Sequence, residues 1–333
     1  MAGLGTYALT LVDLTKRLDP NGKVARIAEL LSQKNEILED IPWLECNQGM
    51  GHLTTVRTGL PTPTWKLLNA GVQPTKSTTA QVKEACGILE SWSEVPEDLA
   101  RLSTDLNGFL LSEAQPHLEA MAQEFAQTFF YGAASAPEEF VGMNARYAAV
   151  SGANNSRNVV EGGGTGSDNS SIYLINWGEN RVHGIYPQGS QAGLRQNNRG
   201  VETVEVTAGV EGTRMLAYRT QFQWMSGIAL RDWRFAVRIC NIDISNLVAK
   251  SSAADLFDKM ITATHQIESL DGNCKFYMNR SCLKMLDIQG RDDVVTGGGL
   301  TFENVAGKRL ISFRGIPVRV CDALTEAEAR VTT

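Results

Sequence analysis

Two glycine-rich stretches are the places where this chain could hold a phosphate: EGGGTG at 161–166 and the GKR at 307–309. A phosphate cradle needs glycine N–H groups after an apolar strand, with Lys and Ser or Thr following at fixed spacing. The first stretch reads as having neither a preceding apolar strand nor a lysine–serine pair, and so as a flexible turn. The second has Phe302 where glycine is required and Arg309 where a hydroxyl should follow the lysine. Nucleophilic chemistry fares no better, because there is no G-x-S-x-G and no cysteine with a histidine close by in sequence. The acidic neighbours Glu138–Glu139 and Asp292–Asp293 arise freely among 37 acidic residues and read as solvated faces. Histidines 52, 117, 183 and 265 lie far apart, and no metal site is expected. Cysteines 46, 86, 240, 274, 282 and 321 lack C-x-x-C spacing and read as reduced, mostly buried thiols. No catalytic residue, cofactor or metal is predicted.

A chain of 333 residues with 43% hydrophobic and 20% charged residues has the balance of a folded body with room for roughly two domains. Its net charge of -6 argues against a protein that grips nucleic acid, which needs a basic stripe to displace counterions. DNA that is enclosed and not gripped remains compatible. The opening MAGLGTYALTLVDLTKRLDP has no basic leader, and Asp13 and Thr15 interrupt its apolar stretch. No stretch reaches the length a membrane span requires, so folding in a cytoplasm is expected.

The elements that must position any site begin with an amphipathic helix over 19–40, carried by Val24, Ile27, Leu31 and Leu38 and ended by Pro42. IPWLECNQ then reads as extended. Residues 49–85 turn to Thr, Gly, Pro and Gln with isolated apolar residues (Val56, Trp65, Leu67, Leu68), and predict a long polar hairpin turning near Asn69-Ala70-Gly71. Its apolar content is too small to hold it on its own domain; a surface loop is the plain alternative. Pro96-Glu97-Asp98 opens a helical pattern to Tyr131, about 50 Å long if continuous and kinked at Pro116. Two separate helices are the other reading.

Residues 151–171 read as loop. Strands are expected at 172–177, 181–186, 201–206, 214–224 and 228–239, followed by a helix from Ser252. KFYMN, RLISF and IPVRVCD are further strands, with a short helix at 280–288 between the first two. This order is α+β and does not alternate as a doubly wound fold does. In the 228–239 strand, Trp233, Phe235, Val237 and Ile239 should face a core, leaving Asp232, Arg234 and Arg238 opposite.

Three stretches, LSQKNEILEDIPWLECN (32–47), FYGAASAPEEFVGMNARYA (130–148) and GIALRDWRFAVRICNIDIS (227–245), together resemble major capsid proteins of tailed double-stranded DNA bacteriophages, in the epsilon-fifteen-like branch. The resemblance covers nearly the whole chain and implies the Hong Kong 97-type fold. By that likeness 1–40 is an N-terminal arm, 41–90 an extended loop with its base, and 91–135 the spine helix of a peripheral domain. Residues 136–310 are mostly axial domain, with peripheral strands near 214–245, and 311–333 form a C-terminal strand and tail.

The resemblance implies a structural protein and no enzyme. Copies would assemble into pentamers and hexamers of an icosahedral head in the host bacterial cytoplasm, and end as part of a virion capsid around double-stranded DNA, without membrane. A separate scaffolding protein, a portal protein and a decoration protein are the implied partners, since no long charged helical extension resembles a fused scaffold. Trp65, Lys66, Arg234 and Arg238 are the candidate subunit contacts; the arginine charges are expected to pair with neighbours or with other elements of their own domain. Some relatives of this fold cross-link through a loop lysine. Lys66 and Lys76 lie in that region, but nothing identifies a partner asparagine or catalytic acid. Rival readings are an encapsulin-type nanocompartment shell and a cytoplasmic enzyme with a dispersed site.

Overall fold

The computed structural model describes residues 9, 32–103, 105–205, 214–250, 254–292, 300–305 and 308–332. A single turn, α1 (Ile37–Asp40), leads into β1 (Trp43–Glu45) and then a hairpin of β2 (Gly51–Gly59) and β3 (Thr78–Ala85). β4 (Gly87–Pro96) precedes α2 (Glu97–Leu102), α3 (Leu106–Tyr131) and α4 (Met143–Arg146). The middle holds β5 (Val159–Glu161), β6 (Asn169–Trp177), β7 (Val182–Tyr186), β8 (Leu194–Glu205), β9 (Arg214–Leu230) and β10 (Ala236–Asp243). The chain continues with α5 (Ile244–Ala249), α6 (Leu256–Gln266), β11 (Asn273–Met278), α7 (Arg280–Asp292), β12 (Leu300–Val305), β13 (Lys308–Phe313) and β14 (Ile316–Val320). Helices and strands mix without β-α-β regularity, which is the α+β class the sequence predicts.

The described residues fall into two compact units, one containing 88–127 and 193–225, the other containing 36–87, 128–192 and the residues from 226 onward. The second unit is built on β6, all nine residues of which are buried. An alternation buried on both faces needs apolar side chains on each, and Ile172, Leu174, Tyr173 and Ile175 supply them. β6 pairs antiparallel with β11 and with β10, β11 pairs parallel with β14, and β12, β13 and β14 form an antiparallel edge. Ile172, Leu174, Val237, Ile239 and Phe276 meet Leu256, Met260, Cys282 and Leu286 of α6 and α7 in one core. Asp255 caps α6 by accepting from Asp258 N at 3.1 Å, which fixes where that helix begins.

In the first unit β9 is paired along Arg214–Trp224 with β8 and is hydrogen-bonded to β4. Phe222 and Trp224 pack on Ala114 and Met121 of α3, and Trp224 stacks on Phe125 at 4.5 Å. Val95, Leu99, Ala100 and Phe109 make a second small core.

Several elements differ from expectation for identifiable reasons. Of the predicted 19–40 helix, residues 19–31 lie outside the described residues; 32–36 are not helical and only Ile37–Asp40 turns. The long helix breaks at Ser103, whose backbone is extended, and not at Pro116, which sits inside the 26-residue α3. Asp105 restarts it by accepting from Gly108 N at 3.0 Å, giving a helix about 39 Å long. Along it Phe109, Met121, Phe125 and Phe129 are buried, while Leu118 is exposed. The 228–239 strand is interrupted: β9 stops at Leu230, Trp233–Phe235 form a 3₁₀ turn held by Asp232 accepting from Arg234 N, and β10 resumes at Ala236. Trp233 and Phe235 are only half-buried for that reason. The 161–166 stretch does follow a short strand, β5, contrary to the sequence reading. It is still no phosphate cradle, since Gly162 N and Gly164 N donate to the carbonyls of Cys240 and Asn241, each at 2.7 Å.

The stretch 130–148 carries a close backbone approach that only glycine permits. Gly142 N donates to Gly132 O at 2.9 Å, and a Cβ on Gly142 would stand 2.6 Å from Gly132 N and 2.8 Å from Thr128 O. These are backbone atoms at the end of α3 and cannot rotate away. Gly142→Ala is expected to cost about 1–3 kcal/mol, read as a lowered denaturant midpoint at unchanged slope.

Candidate functional site: an exposed hairpin, its anchors and a buried arginine

β2 and β3 pair in antiparallel register from Gly51↔Ala85 to Gly59↔Thr78, as Thr and Val at alternating positions favour. Every residue from Leu60 to Lys83 is exposed. Between the strands the backbone is irregular, with one turn closed by Ala70 N donating to Leu67 O at 3.0 Å and Asn69 at a φ of 65°. Trp65 is completely exposed, and Leu60, Leu67 and Leu68 are at least three-quarters exposed. So much apolar side chain on one loop has no cover within the chain's described residues. Lys66, next in sequence to Trp65, is also exposed.

The hairpin's base is held firmly. Glu84, the only buried residue of β3, takes a bidentate pair of hydrogen bonds from Arg146 at 2.6 and 2.7 Å. Asn47 clamps the start of β2, accepting from Leu53 N and donating to Leu53 O at 2.8 Å each. Beneath lie two buried imidazoles, His52 and His183, with ring centres 5.6 Å apart. Arg231 Nη2 stands 2.9 Å from His52 Nε2, whereas His52 Nδ1 and both His183 nitrogens lack a partner among the described residues. Burial, with Arg231 beside them, holds both rings below the usual histidine range, His183 at about 4. Sequence reasoning missed this pair because 131 residues separate its members and neither stands in a motif.

Arg234 and Arg238 part company. Arg234 is exposed, pairs with Asp232 at 2.7 Å and Glu268 at 3.0 Å, and lines an open groove with Arg57, Leu60, Arg231 and Trp233. The 231–234 turn thus lies against β2, while Trp65 and Lys66 belong to the hairpin's irregular part. Arg238 is 1% exposed and spends its donors inside its own subunit. It donates to Ser171 Oγ at 3.1 Å, Asn144 Oδ1 at 2.5 Å, Tyr147 O at 2.9 Å and Glu328 Oε2 at 2.9 Å. Glu328 also accepts from Ser171 Oγ at 2.5 Å and Tyr131 OH at 2.6 Å. Arg238 was expected at a subunit contact; its side chain is buried and its hydrogen-bond partners lie within its own chain, so it presents no exposed charge. A charged side chain survives there because four of its five N–H donors are met and Glu328 supplies the counter-charge. Glu328 was not anticipated: in TEAEAR it reads as one more solvated acid.

Among the described residues no cluster of histidines, cysteines and carboxylates could hold a metal, and no helix is long and apolar enough to cross a membrane. The geometry offers an exposed apolar and basic loop on a rigid base. That equips the chain to bind another protein surface.

No curated protein matches the chain. A solved structure of bacteriophage Epsilon15 is similar over 100% of both chains, at 33% identity and a TM-score of 0.80. The bacteriophage JBD30 capsid is similar at 9% identity over 89% of this chain and 92% of that one, with a TM-score of 0.48. The holo-SrpI encapsulin complex from Synechococcus elongatus PCC 7942 follows at 10% identity, covering 70% and 96%, with a TM-score of 0.44. The full-length likeness to Epsilon15 makes the α+β architecture a Hong Kong 97-type phage capsid fold. The family model for the major capsid protein GP7 matches residues 19–332. The chain belongs to the major capsid protein GP7 family.

Proposed function

We propose that this major capsid protein builds the icosahedral head of a tailed phage, its copies closing into pentamers and hexamers around double-stranded DNA. The observation that carries the assembly reading is the hairpin loop, where Trp65, Leu60, Leu67 and Leu68 are presented to solvent on an anchored base. Their partner is the adjacent copy of this chain, which receives Trp65 as an apolar anchor with Lys66 at its rim. Arg234, on the groove beside β2, is a second contact. Arg238 acts from inside, by holding the sheet behind that turn.

The chain is then divided by role into an arm (1–40), the extended loop (41–90), the spine helix (91–135), a mostly axial part (136–310) with peripheral strands near 214–245, and a C-terminal strand (311–333). Its role is structural and not catalytic. Assembly takes place in the host bacterial cytoplasm with a separate scaffolding protein, around a portal protein, and a decoration protein can be added to the finished shell. The net charge of -6 supports an inner surface that encloses DNA without holding it.

The test is expression with and without a scaffolding protein, followed by light scattering and negative-stain microscopy. Closed shells or capsomers are expected. Trp65→Ala should raise the protein concentration needed for assembly about tenfold, as loss of an interface anchor does, with no change in the denaturation midpoint of the isolated subunit. Shells that form equally well without Trp65 would remove the hairpin from the interface; a lone monomer under every condition would remove the capsid reading.

A further inference from the structure

Cys46 follows β1 and Cys86 follows β3, so the two cysteines bracket the segment that contains the hairpin. Their Sγ atoms are 3.5 Å apart, both are free thiols, and both are buried. Backbone bonds hold each in place: Cys46 N donates to Tyr186 O and Cys86 N to Met50 O, both at 2.9 Å. Ile185 and Ala229 wall the site with apolar surface. Gly227 closes it from the neighbouring strand, where a Cβ would stand 3.2 Å from Cys86 Cα. Two sulfurs fixed in contact at the two ends of one exposed hairpin are placed to be joined.

We infer that Cys46 and Cys86 form a modification site, a dithiol that a small peroxide converts into a disulfide bracing the hairpin's base. In the first step one thiolate sulfur attacks a peroxide oxygen and the O–O bond breaks. A sulfenic acid forms, and the departing hydroxide leaves as water with the thiol proton. The second sulfur then attacks the sulfenic sulfur, the S–O bond breaks, and the second hydroxide leaves as water with the second thiol proton. Two thiols give up two electrons, and one hydrogen peroxide becomes two waters. The sulfurs have roughly 1.5 Å to close to reach a bond of about 2.0 Å.

The surroundings set when this happens. In the folded chain burial pushes both thiols above their ordinary range, so little thiolate exists at neutral pH and oxidation proceeds slowly there. Once formed, the disulfide closes residues 47–85 into a covalent loop and limits how far the hairpin's two ends can separate.

The test treats the folded wild-type protein with hydrogen peroxide, removes the peroxide, unfolds the chain in guanidinium chloride with iodoacetamide to block remaining thiols, and maps peptides without reductant. The expected product is a single cross-linked peptide pair joining Cys46 to Cys86, with four of the six cysteines still alkylated. Its rate of formation should rise about tenfold per pH unit. A second readout cuts the exposed loop with protease: the two fragments should run as one band after peroxide and separate when dithiothreitol is added. Cys46→Ser should abolish the joined band. Peroxide that leaves all six thiols alkylated, stops at sulfinic or sulfonic acid on Cys46, or joins other cysteines first would overturn the assignment.

Discussion

Arg238→Ala will destabilise the subunit by about 3–5 kcal/mol, because it strands Glu328 as a buried, uncompensated charge. The side chain lost is 1% exposed and makes four hydrogen bonds within its unit. Glu328 would keep Tyr131 and Ser171 as donors but no cation. Chemical denaturation of the unassembled subunit, followed by tryptophan fluorescence, reads this directly. A double change, Arg238→Met with Glu328→Leu, should recover most of the loss, since an apolar pair of similar volume pays no charge-burial cost. An alanine variant within about 1 kcal/mol of wild type would show that water or a rearranged tail replaces the guanidinium. Tyr131→Phe tests the same network more gently, with an expected loss of about 1.5–3 kcal/mol, since its hydroxyl donates to Glu328 and accepts from Thr325 N.

The second large effect is acid lability. His183 ionises at about 4 in the folded chain against an ordinary value of 6.5, because burial and the charge of Arg231 disfavour a second cation beside it. His52 is lowered for the same reasons, with Glu84 pulling the other way; Glu84 is itself tied to Arg146. A folded value below the unfolded one means that the unfolded chain binds the proton first as pH falls. The stabilisation is complete above about 6.5 and disappears between there and about 4, and His183 alone contributes on the order of 3 kcal/mol. Denaturation midpoints measured from pH 7 to 4 should therefore drop through that window. His183→Phe should flatten the drop, whatever it does to stability at pH 7. An unchanged slope in that variant would move the acid response to other groups.

Much of the architecture was legible because periodicity reports burial. KFYMN and IPVRVCD lie where apolar spacing put them, the helix expected from Ser252 begins at Leu256 behind its Asp255 cap, and the polar run 49–85 is a hairpin because its strands alternate and its middle cannot pack. What was not legible depended on single atoms or distant partners. The break before α3 turns on a Ser103 backbone torsion and an Asp105 cap, whereas Pro116, the louder signal, is accommodated inside the helix. Arg238 sits in the alternation of a strand with one wet face, and only the fold reveals that Tyr173, Ser171 and the tail cover that face. The exposed Trp65 was visible as an oddity of composition. The cysteine and histidine pairs beneath it join β1, β2, β3 and β7, and no linear spacing encodes such a meeting.

The reach of Glu328 has a consequence in time. Arg238 precedes its counter-charge by 90 residues, Tyr131 precedes it by 197, and Asp40 waits 235 residues for Lys275. At about 5–20 residues per second of translation, the guanidinium goes roughly 5–20 s without its carboxylate, and the first acid waits longer still. Contacts this far apart along the chain also close slowly after release. A nascent subunit on the ribosome consequently lacks the locked sheet that a finished one has.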